Sequence, residues 1–128
     1  GAAIAVNQNE TIKNEAARRI NFTSYFSVSY DSLQERTKEE FVQYVKGALA
    51  QVASNINYTL EKDIAVDSMD AHALEFELTQ QGADFAVLMV LVYGDNGDVW
   101  AVSFNTVKEK WDEYKPMFYQ TADSFRLK

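Results

Sequence analysis

The run from Phe85 to Tyr93, Phe-Ala-Val-Leu-Met-Val-Leu-Val-Tyr, constrains the fold more than any other part of the chain. It is apolar at odd and even positions alike, so a strand built from it can leave neither face in water. The run is too short for a membrane helix, which needs about 20 apolar residues. Its flanks, Gln80-Gln81-Gly82-Ala83 and Gly94-Asp95-Asn96-Gly97, carry the Gly and Asn that tight turns use for positive φ. The segment therefore reads as the centre of a sheet that is covered on both sides, and the rest of the chain must supply its neighbours and both covers.

The neighbours are legible as alternating segments. In Ala71 to Thr79, His72, Leu74, Phe76 and Leu78 share one face while Glu75 and Glu77 take the other. Asp98 to Asn105 turns Trp100, Val102 and Phe104 inward, and with the central run these two make an antiparallel meander. Ile56 to Val66 adds a further strand with an irregularity expected near Asp63. Upstream, Phe26, Val28 and Tyr30 alternate with Ser27 and Ser29 as in a half-buried strand.

Two segments offer the covers. Thr37-Lys38-Glu39-Glu40 fits a capping box, and Phe41, Val45, Ala48, Leu49 and Val52 recur at helical spacing before a stop at Asn55. Thr106-Val107-Lys108-Glu109 has the same capping pattern and is expected to start a second helix. Trp111, Tyr114, Phe118, Ala122 and Phe125 form its apolar stripe, with Pro116 kinking or restarting it. The fold class that follows is α+β, an antiparallel β-sheet with helices packed on both faces. A cystatin-like or nuclear-transport-factor-like cone, enclosing a small-molecule pocket and possible enzymatic chemistry, has a similar order of elements. A closing helix packed on the sheet would distinguish the sandwich from the cone.

A chain of 128 residues is one domain. Residues 1–19 read as a flexible lead-in, in which Thr11, Ile12, Ala16 and Ile20 could form a short helix, and residues 20–128 as a single α+β domain. The start Gly1-Ala2-Ala3-Ile4-Ala5-Val6 is rich in small residues and carries no initiating Met, as expected where an export or anchor segment has been removed. Three glycosylation-type triplets begin at Asn9, Asn21 and Asn57 and read as products of an Asn- and Thr-rich composition.

The formal charge is −7, and from Glu61 to Asp98 the acids face Lys62 as the only base. Such a surface repels a phosphate backbone, and the only basic doublet is Arg18-Arg19, so nucleic acid is excluded as a partner. The same repulsion favours a soluble monomer. With no Cys there is no disulfide, thiolate metal site or cysteine nucleophile.

Tyr25-Phe26-Ser27-Val28-Ser29-Tyr30, the meander, and Val99-Trp100-Ala101-Val102-Ser103-Phe104 followed by Trp111, Tyr114, Phe118 and Ser124-Phe125-Arg126 resemble the PsbP-like (Mog-type) family. The resemblance spans roughly Phe22 to Arg126. One departure is Asp31-Ser32-Leu33, where many members place Pro and Trp. The resemblance implies an α/β/α sandwich. Members include a photosystem-associated subunit, a nuclear protein that binds a small GTPase and many exported bacterial lipoproteins. The lipoprotein branch is the most similar, which implies a non-enzymatic, extracytoplasmic binding or structural module. Its partner would be an unidentified protein of the cell envelope, and its lipid anchor would lie upstream. No functional residue of the family has a motif to match here.

Taken singly, the chemistry-bearing residues point away from catalysis. His72 could act as a base if a carboxylate oriented it, but it lacks a nucleophile partner and reads first as structural. Asp95-Asn96-Gly97-Asp98 resembles part of a calcium loop without its closing Glu, and a hairpin turn explains it. Glu75 and Glu77 read as solvated neighbours on one strand face. No cofactor or metal is expected. Tyr114, Tyr119, Glu75 and Glu77 are the candidates for an interaction surface, conditional on the tyrosines being exposed.

Overall fold

A computed structural model describes residues 2–6, 12–20 and 22–125. Asn9, Thr11, Asn21 and Arg126, singled out above, lie outside them. The described elements are β1 (Ala2–Val6), α1 (Glu15–Arg19), β2 (Tyr25–Ser32), α2 (Lys38–Val52), β3 (Ser54–Val66), β4 (Met69–Gln80), β5 (Ala83–Tyr93), β6 (Asp98–Val107) and α3 (Trp111–Asp123). The strands form one six-stranded antiparallel sheet in the order β1-β2-β6-β5-β4-β3.

The apolar run is β5, between β4 and β6, and its two faces bury separate sets of side chains. Leu88, Val90 and Val92 join Ala71, Ala73, Val102 and Phe104 beneath Tyr114, Phe118 and Ala122 of α3. Leu91 and Tyr93 join Val99 beneath Phe41 and Val42 of α2, and Val87 meets Leu74 and Phe76 alongside Leu49. Helices thus cover both faces, and α3 fills the side that a cone would leave open. The architecture is an α+β sandwich, an antiparallel sheet with helices packed on both faces.

Tight turns set the register of the meander. Asp67-Ser68, Gln81-Gly82 and Asn96-Gly97 each place two consecutive residues at positive φ, as type I′ connections require for strands with a right-handed twist. The α2 capping box forms as its sequence predicts, with Thr37 Oγ1 accepting from the Glu40 amide at 3.1 Å and Glu40 Oε1 accepting from the Thr37 amide at 2.9 Å.

Four expectations are corrected. Thr106 does not open a helix: β6 runs on to Val107, and the fully buried Thr106 hydroxyl accepts from Ser24 Oγ at 2.8 Å. A short turn of 3-10 helix, Lys108–Lys110, intervenes before α3, which is continuous through Pro116. Helix α2 ends at Val52, and Asn55, the expected stop, is a positive-φ residue already inside β3. The irregularity of β3 lies at Ser54/Asn57 and Tyr58/Leu60, ahead of Asp63.

Where the sequence suggested a lead-in, β1 pairs along β2 from Ala2↔Ser29 to Val6↔Tyr25. Ile12 and Ala17 also pack with Phe85 and Val107, on the α2 side of the sheet.

Candidate functional site

Between α2 and the β3–β4 strands lies a groove of about 450 Å³, lined among others by Lys38, Glu39, Glu61, Asp63, Asp70, His72 and Tyr93. Its chemistry depends on the shift in β3. Beyond Tyr58/Leu60 the register places Glu61 opposite Leu74 and Asp63 opposite His72, so both acids stand on the α2 side of the sheet. Alternation alone would have sent one residue class outward; the extra residue returns the charged side chains to His72.

His72 is held from both ends. Its Nδ1 lies 2.8 Å from Asp63 Oδ1 and its Nε2 lies 2.7 Å from Glu61 Oε2. Carboxylates only accept, so both contacts are hydrogen bonds together only when the ring carries two protons. The other oxygen of Glu61 takes Lys46 Nζ at 2.7 Å, and this ammonium is the main reason the Glu61 pKa falls below the usual carboxylate range, with His72 adding to the effect. At the other end of the groove Lys38 Nζ bonds Asp70 Oδ2 at 2.9 Å and stands 5.1 Å from the centre of the Tyr93 ring. Tyr93 is 8% exposed, and its hydroxyl has no hydrogen-bond partner among the described residues. Burial, followed by the charges of Asp63 and Glu39, pushes its pKa up to about 12.

The opposite face holds a second polar cluster. Glu75, read from the sequence as solvated, is 3% exposed beneath α3. Its Oε1 receives Lys115 Nζ at 3.2 Å and its Oε2 accepts from the Tyr119 hydroxyl. Burial first, then the bond to this carboxylate, raises the Tyr119 pKa. Lys62 Nζ stands 5.3 Å from the Tyr119 ring. Glu77 is partly exposed and meets Lys108 Nζ at 3.4 Å.

The four residues expected to form an interaction surface are therefore not one surface. Tyr114 is buried against Phe118, because the α3 stripe packs on β5 and β6. Tyr119 and Glu75 bond to each other inside the helix–sheet joint, and Glu77 stands apart with Lys108. The groove residues other than His72 carried no signal in sequence, since Lys38, Asp63, Asp70 and Tyr93 come from three strands and a helix. Positional alternation around His72 was the only clue.

Chemically, the central groups of both sites are engaged. Each nitrogen of His72 is occupied, the Glu75 carboxylate is bonded at both oxygens, and among the described residues no three metal-ligating side chains converge. The groove offers charge and hydrogen-bond complementarity to a ligand.

No protein-family model matches the chain, and no curated protein matches it. Several solved structures share its fold, among them the following two. PA94 from Pseudomonas aeruginosa, a protein of unknown function, superposes with a TM-score of 0.80 at 13% identity, over 100% of this chain and 83% of that one. The cyanobacterial PsbP of Synechocystis sp. PCC 6803, CyanoP, superposes with a TM-score of 0.61 at 15% identity, over 100% of this chain and 82% of that one.

Proposed function

We propose, with the PsbP-like fold as premise, that the chain is a non-enzymatic binding module of the cell envelope, of the exported lipoprotein kind that its sequence resembles. The observation that carries the reading is the contrast between a helix–sheet joint under α3 that is packed with aromatic side chains, with a shallower hollow of about 360 Å³ at its edge beside Tyr119 and Ala122, and a polar groove of about 450 Å³ under α2. An enzyme of this size needs an activated group facing its cavity. Here the one histidine is clamped by two carboxylates, and Lys38 and Lys46 are paired with Asp70 and Glu61.

The envelope assignment is supported by the resemblance to exported members of the family. No described helix is long and apolar enough to cross a membrane, and the lipid anchor belongs to the reading through the resemblance to lipoproteins alone.

Fractionation of cells expressing the full-length gene product tests the assignment. The protein is expected with the envelope, and a protein recovered only from the cytosol would refute the exported reading. Turnover of any groove ligand, lost in His72→Ala, would refute the non-enzymatic one.

A further inference from the structure

The α2 groove carries a feature that structural pairing does not explain. Tyr93 is more than nine-tenths buried and lines the groove, yet its hydroxyl is unpartnered among the described residues. A buried hydroxyl left without a partner costs about 1–3 kcal/mol, and of the described buried side-chain atoms in this state, Tyr58 Oη, Tyr93 Oη and Trp100 Nε1, Tyr93 is the one whose residue lines the groove. Around it the groove wall supplies Glu39, Glu61, Asp63 and Asp70 against Lys38 and His72, and with Lys46 bonded to Glu61 Glu39 is the carboxylate left over, so the field inside favours a cation.

The groove also contains a tethered example of what it would hold. The Lys38 ammonium bonds Asp70 and faces the Tyr93 ring at a distance suited to cation–π attraction. Lys38 is about half exposed, Asp70 is mostly exposed, and their pair is of the weak surface kind. A ligand ammonium of the same shape can therefore displace the lysine at little cost and reach the tyrosine behind it.

From these observations we infer that the groove is a binding site for a primary ammonium group, held by the Asp70 carboxylate and the Tyr93 ring and hydroxyl, with Lys38 as its built-in competitor. The inference rests on the reading of the chain as a binding module and supplies its ligand chemistry. The hydroxyl accepts one N–H, the carboxylate a second, and the ring receives the charge. A quaternary ammonium satisfies only the ring and is the weaker ligand. The ammonium could belong to a free alkylamine or to a lysine side chain of a partner protein.

The test is titration calorimetry of the intact chain at low salt with n-butylamine, Nα-acetyl-lysinamide and tetramethylammonium. Saturable one-to-one binding of both primary amines is expected, with tetramethylammonium weaker. Asp70→Asn should weaken binding about tenfold and Tyr93→Phe severalfold, as loss of a charged and a neutral hydrogen bond implies. Lys38→Gln should strengthen it severalfold, an effect that a merely structural lysine would not produce. Tighter binding of the lysine derivative points to a protein ligand, and tighter binding of butylamine to a free amine.

Absence of saturable binding, or affinities unchanged in both Asp70→Asn and Tyr93→Phe, overturns the inference. If the amines fail while the wild-type chain still captures an envelope protein through this groove, the module reading survives without its ammonium ligand. If an amine binds and is chemically converted, the site stands and the non-enzymatic reading falls.

Discussion

The two faces of the sheet use the same kinds of residue to opposite ends. Beneath α3, Glu75, Lys115 and Tyr119 close on one another under an aromatic layer of Phe104, Trp111, Tyr114 and Phe118. Beneath α2, Glu61, Asp63, Asp70, His72 and two lysines form pairs around a groove that stays open and leaves Tyr93 unsatisfied. A buried polar group bonded on every side fastens a helix to a sheet, whereas paired charges beside an unpartnered hydroxyl leave interaction capacity for something else.

The largest way to break this contrast is through the α3 layer. Phe118→Ala removes a buried ring that stacks on Phe104 with centroids 5.1 Å apart. It should cost about 3–5 kcal/mol in chemical denaturation; a loss below about 1 kcal/mol would mean that α3 does not carry the stability of this face.

Glu75→Ala comes next, with an expected cost of about 1–3 kcal/mol from the stranded Tyr119 hydroxyl and the unpaired Lys115. Glu75→Gln should cost less, because its amide oxygen still accepts from Tyr119. Equal losses in the two variants would show that packing, and not the hydrogen bond, matters there.

The tyrosines sharpen the comparison at alkaline pH. A tyrosine whose folded pKa is raised above its unfolded value of about 10 contributes stability that is fully present below that value. The contribution is lost as pH rises through the folded pKa. Tyr119 and Tyr93 are both raised, mainly by burial, so stability should fall from about pH 10 upward. Denaturation curves across that range should show a shallower fall in Tyr119→Phe and in Tyr93→Phe, and a slope unchanged by both would remove this linkage. The smallest effect is expected from Asp70→Asn, whose exposed pair with Lys38 is worth under about 1 kcal/mol. The groove can therefore be altered without unfolding the protein that displays it.

How much of this was legible follows from the range of the interactions. The two-sided burial of Phe85 to Tyr93, the capping box at Thr37 and the alternation of His72, Leu74 and Phe76 are local patterns, and each appears in the fold as read. Thr106 misled because a capping box and a buried strand threonine look alike until Ser24 is known to bond to it. Glu75 looked solvated because alternation turns it to the face away from Leu74, while the tyrosine that buries it lies 44 residues downstream. The groove was hidden for the same reason, compounded by a bulge in β3 that falls at Tyr58/Leu60, ahead of the expected position near Asp63. Strand β1 is short and built of small residues, and its pairing with β2 joins segments separated by α1.

The most direct measurement is an amide chemical-shift titration of the isotopically labelled chain with n-butylamine. Shifts confined to Lys38, Asp70, His72, Tyr93 and their immediate neighbours are predicted, with Lys115, Tyr119 and the rest of the α3 joint unmoved. Shifts centred on the α3 face, or spread evenly over the acidic surface, would contradict the division of the molecule into a closed structural face and an open binding face.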